Sequence, residues 1–83
     1  MSKLAREIEV VRARLAEYKE AHNEFVTKVE SCLSRFEEAV ASGVGGREEM
    51  ASALREALEA FGNLQHDIGH LLESLAQLLE ALS

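Results

Sequence analysis

Proline and tryptophan are absent from this chain of 83 residues, cysteine occurs once, and no Lys or Arg follows Arg55. Each absence excludes something. Without proline nothing in the chain forces a helix to break. One cysteine cannot form an intramolecular disulfide, and it suits a reducing, cytoplasmic setting. Large apolar side chains never run longer than two in a row, so no transmembrane segment is expected. Met1-Ser2-Lys3 leads straight into an amphipathic pattern without the apolar stretch of a signal peptide. The loss of basic residues after Arg55 leaves the second half with Arg47 and Arg55 against seven acidic groups, within a net charge of −6. Such a surface repels phosphate backbones and argues against nucleic acid as a partner.

What is present is Ala, Leu and Glu in a helical rhythm. In the first half, apolar residues fall at Leu4, Ile8, Val11, Leu15, Tyr18, Phe25, Val29, Cys32 and Phe36, with His22 in the one missing place. The second half repeats the 4-3 spacing at Met50, Leu54, Ala57, Phe61, Leu64, Ile68, Leu71, Leu75, Leu78 and Leu82. Assigned to heptads, position a holds Ile8, Leu15, His22, Val29 and Phe36, then Leu54, Phe61, Ile68, Leu75 and Leu82; the others are d. Between the halves stands Ser42-Gly43-Val44-Gly45-Gly46. Gly43 suits the left-handed position that ends a helix, Val44 can cap the last turn hydrophobically, and Glu48 and Glu49 suit the start of the next helix.

The pattern predicts an all-α fold in a single domain over 1–83: one long antiparallel helical hairpin, with a helix over about 3–41, a turn at 42–46 and a helix over about 47–82. Folding about the turn would bring Phe36 near Leu54, Val29 near Phe61, His22 near Ile68 and Ile8 near Leu82. It would also lay the basic cluster Lys3, Arg6, Arg12 and Arg14 beside the acidic end of helix 2.

Helix 2 carries more apolar surface than one partner can cover. Leu58, Gln65, Leu72 and Leu79 occupy the e row, and Gly62, Gly69 and Ala76 the b row beside it. Two glycines inside a helix cost about 1 kcal/mol each relative to alanine, so their presence points to close approach of another helix. Helix 1 has a shorter version of this seam at Val26, Leu33 and Val40. The expected assembly is a homodimer of hairpins forming a four-helix bundle, with a different protein on helix 2 as the other possible partner.

Nothing in the pattern resembles an active site, and neither a cofactor nor a metal is expected. His66 and His70 have the four-residue spacing that can hold a metal, but no third His or Cys joins them and the HExxH glutamate is replaced by Asp67. Cys32 reads as a small buried hydrophobe. His22 reads as a hydrogen-bonded core residue that sets register. The expected function is a small non-enzymatic interaction module, an adaptor, chaperone-like subunit or inhibitor, and the Ala/Arg/Leu/Glu usage suits a bacterial or phage source. In its helix–turn–helix arrangement and heptads the chain also resembles the plasmid copy-number regulator Rop, which would imply an RNA-binding dimer. That role needs a basic face, and only the stretch from Lys3 to Lys19 offers one. Secreted hairpins with a Trp-x-Gly turn are similar in size and shape, but the turn here lacks that motif.

Overall fold

The computed structural model describes residues 2–43 and 46–83 and consists of two helices, α1 (Lys3–Ser42) and α2 (Arg47–Ala81). Both bounds fall within one residue of those expected. At about 1.5 Å per residue a helix of 40 residues is about 60 Å long. The molecule measures 62 × 14 × 13 Å, a rod of two helices lying side by side.

The ends follow from local chemistry. The Ser2 hydroxyl oxygen accepts the Ala5 backbone N–H at 3.1 Å, satisfying one of the free donors at the start of α1. At the other end Gly43 is left-handed at φ 68°, and its N–H donates to the Ala39 carbonyl at 3.0 Å. A side chain would be strained in that conformation, which is why glycine stands there. The Ser42 hydroxyl donates back to the Glu38 carbonyl at 2.8 Å. Glu48 and Glu49 lie in the first turn of α2, next to the positive end of its dipole. The expected hydrophobic cap by Val44 lies outside the described residues.

The helices close on each other along different rows from those expected. The most buried residues are Ala21 and Cys32 of α1 and Ala53, Ala57, Ala60, Leu64 and Ser74 of α2. These belong to rows d and g, not a and d. The a row stays at the rim: Ile8, Leu15, Leu54, Phe61, Leu75 and Leu82 are exposed, and Val29, Phe36 and Ile68 are half-buried. His22, expected in the core, is exposed as well. The seam has turned by one row, about 50° around each helix.

Size explains the rotation. The g row of α2 reads Ala53, Ala60, Asp67, Ser74 and Ala81, while that of α1 reads Glu7, Arg14, Ala21, Lys28, Arg35 and Ser42. The small side chains of α2, with Ala21 and Cys32 of α1, are the ones enclosed in the seam, and the long charged ones of α1 reach out past its edge. Among the described residues the one buried polar residue, Ser74, donates its hydroxyl to the Leu71 carbonyl at 2.7 Å within its own helix, so it places no unpaired group in the seam.

Two contacts fix the register. Lys28 Nζ lies 3.6 Å from Glu56 Oε1 across the hairpin, and the Phe25 and Phe61 rings meet with centroids 5.3 Å apart. Phe61 thus meets Phe25 with the rings tilted at 51°, one turn from Val29. The Lys28–Glu56 pair is solvent-facing and contributes at most about 1 kcal/mol; the aromatic pair and the alanine seam carry the closure. Among the described residues the ion pairs are this one and Arg14–Glu17, which lies within α1 at 3.2 Å. The expected pairing of the basic cluster at Lys3 to Arg14 with the acidic end of α2 is therefore not made by direct bridges.

Candidate interaction surface

Turning the seam to rows d and g divides the remaining surface into two unlike faces. On the side next to g, both helices present mostly polar residues, with Val10 the exposed apolar exception. One groove there is lined by Glu17, Glu20, Ala21 and Glu24 of α1 with Asn63, His66 and Asp67 of α2. Its continuation toward the turn is lined by Glu24, Lys28, Glu56, Glu59, Ala60 and Asn63. The His66 and His70 rings on this side lie 4.3 Å apart between centroids. Among the described residues no group of three or more His, Cys, Asp or Glu side chains is placed to hold a metal ion.

On the side next to a, the surface of α2 is apolar, while the first half of α1 places Arg12, Lys19 and His22 there. Leu58, Leu72 and Leu79 are 63%, 60% and 69% exposed, and Leu54, Phe61 and Leu75 lie beside them at the rim of the seam. Gln65 and Ala76 are exposed on the same face. A Cβ built on Gly62 or Gly69 would meet no atom within 4 Å. The seven residues singled out from the sequence, Leu58, Gly62, Gln65, Gly69, Leu72, Ala76 and Leu79, are thus brought together as one open stripe. Val26, Leu33 and Val40 of α1 are exposed too.

Sequence reasoning misses the contribution of the a row. A seam at a and d assigns Leu54, Phe61 and Leu75 to closing the hairpin. In fact they widen the apolar stripe of α2, and Ile8 and Leu15 extend it onto α1. A partial signal is present in α2, whose g row is mostly Ala and Ser, but the g row of α1 is mostly charged, so the sequence alone does not single out this row.

The rod shape leaves a large surface for the chain's mass. The chain exposes 6290 Å², against roughly 4,900 Å² for a compact folded protein of its mass. The excess is roughly 1,400 Å². Among the described residues no large side chain is fully buried. The hairpin encloses no core of its own beyond a thin, alanine-rich seam.

The two glycines give a test whose sign is informative. Nothing within the hairpin uses their missing side chains. Gly62→Ala and Gly69→Ala are therefore each expected to stabilise a free hairpin by about 0.5–1 kcal/mol. Where another helix packs on this face, the added methyl groups obstruct it and the effect reverses. Urea denaturation at several protein concentrations separates the cases: stabilisation at high dilution, destabilisation where the face is covered.

No protein-family model matches this chain, and no curated protein or solved structure shows significant similarity to it. Among the described residues no helix is long and apolar enough to cross a membrane.

Proposed function

We propose that this protein is a small non-enzymatic interaction module that works by helix–helix contact through its apolar face, and that it assembles as a homodimer of hairpins. The observation that carries this reading is the one-sidedness of the apolar surface. Scattered exposed leucines are ordinary on protein surfaces, but a contiguous stripe along a 62 Å rod is not. A helix flanked by two neighbours needs two apolar strips. Here rows d and g meet the other helix of the hairpin, while rows a and e are left for a further layer. An adaptor, chaperone-like subunit or inhibitor would use the same face for another protein.

The Rop-like alternative, an RNA-binding dimer, needs a basic surface. The polar face shared by the helices instead carries Glu17, Glu20, Glu24, Glu59 and Asp67. Charge therefore favours the protein partner.

Sedimentation equilibrium of the intact chain tests the assembly. A dimer is expected at tens of micromolar, with a melting temperature that rises with protein concentration. A monomer across that range, unfolding cooperatively at a concentration-independent temperature, would defeat self-association and leave the face for a different protein.

A further inference from the structure

We propose that His66 and His70 form a clamp for one divalent transition-metal ion of the kind that prefers imidazole, closed over a single turn of α2. The pair lies on the polar side of the hairpin, so the clamp does not depend on what meets the apolar face.

Side chains four residues apart on a helix are neighbours. Here the His66 and His70 ring centroids are 4.3 Å apart, with the rings tilted at 50°. An ion held by two imidazole nitrogens at about 2.1 Å, at the roughly 90–110° angles of octahedral or tetrahedral shells, sets the ring centroids about 4.6–5.3 Å apart. The observed pair is a few tenths of an ångström short of the octahedral value, a gap that small side-chain rotations make up. His66 is exposed and His70 half-buried, so both can turn. Among the described residues neither imidazole takes part in a protein hydrogen bond, which leaves the ring nitrogens open to a ligand.

The surroundings favour a cation. His66 lines its groove with Glu17, Glu20, Glu24 and Asp67, and no Lys or Arg lines it. His70 adjoins Arg14 and Glu73, but the Arg14 guanidinium lies 3.2 Å from Glu17 Oε2, which opposes its charge. A cleft of one charge sign concentrates counter-ions. Among the described residues no third His, Cys, Asp or Glu joins the pair as a ligand. Water therefore fills the rest of the shell, with Asp67 and Glu73, three residues either side of His70, as carboxylates to receive its hydrogen bonds. Two imidazoles select Ni²⁺, Cu²⁺ or Zn²⁺; Mg²⁺ and Ca²⁺ seek oxygen instead.

Gly69 stands inside the clamped turn, where glycine weakens a helix and a Cβ would meet no atom within 4 Å. The rings come together only while residues 66–70 are helical, so an ion that joins them binds the folded turn and not the open chain. The metal then holds the turn that Gly69 loosens, and stability rises with ion concentration.

Ni²⁺ titrated into the untagged chain tests the clamp, read by calorimetry and by melting temperature. One ion per chain is expected, with a melting temperature that climbs with Ni²⁺ and slower hydrogen exchange around Gly69. His66→Ala and His70→Ala should each weaken binding at least about tenfold and remove most of the rise in melting temperature. Alanine favours helix, so both variants keep the fold. His22→Ala should bind Ni²⁺ as the original chain does, and Mg²⁺ should not raise the melting temperature. No binding at Ni²⁺ concentrations on the order of 1 mM would overturn the proposal. Binding that survives either histidine substitution would place the ion on the carboxylates and overturn it equally. One ion shared between two chains would overturn closure within a single turn.

Discussion

Replacing Leu58 and Leu72 together by Glu should separate the hairpins of the proposed dimer, with the dissociation constant raised more than about a thousand-fold. Both side chains are more than half exposed and lie outside the seam that closes the hairpin. Covering what remains exposed of each removes on the order of 100 Å² of apolar surface from water, about 2.5 kcal/mol per side chain. A symmetric dimer counts each position twice, and the variant adds the cost of desolvating carboxylates. Even with generous allowance for incomplete burial, the loss is on the order of 5 kcal/mol. Sedimentation and concentration-dependent melting should show the change together. The variant's melting temperature should be lower and independent of concentration, because the bare hairpin has only its thin seam to hold it. An unchanged dissociation constant would mean that this stripe is idle surface.

Ala60→Leu should act in the opposite compartment, on the hairpin itself. Ala60 is 4% exposed, and Ala57 on the adjacent row is 5% exposed. An added isobutyl group at so enclosed a position must displace its neighbours in the seam or force the seam to rotate. Overpacking of this kind costs about 1–3 kcal/mol, a large share of the stability a domain this small can hold. The expected readouts are a fall in urea midpoint and loss of the near-ultraviolet signal from the Phe25–Phe61 contact. The contrast with Leu58 and Leu72 matters: a substitution at g should damage the fold at every protein concentration, one at e chiefly when the molecule is assembled. If Ala60→Leu were neutral, the close alanine seam would not be what holds the helices together.

Most of the molecule is legible in its amino-acid order. The 4-3 spacing marks both helices, Gly43 marks the end of α1, and the glycine-bearing rows of α2 mark a stripe that the fold places on one open face. These features are local, or periodic along a single helix, and need no knowledge of a neighbour. The Ser2 cap is of the same local kind, since Ser is favoured where a helix begins.

What the sequence by itself does not determine is which rows meet. Rows g, d, a and e lie side by side around each helix, and a repeat of 4 and 3 looks the same whether the seam is centred between a and d or between d and g. Only the tertiary structure decides that, because the choice depends on how closely two particular backbones can approach when Ala21, Ala53, Ala60 and Ser74 lie between them. Turning the seam by one row leaves the hairpin unchanged but alters what its surface offers. It moves Leu54, Phe61 and Leu75 from an enclosed core to the rim of an open apolar face, and so makes that face broad enough to meet another helix layer.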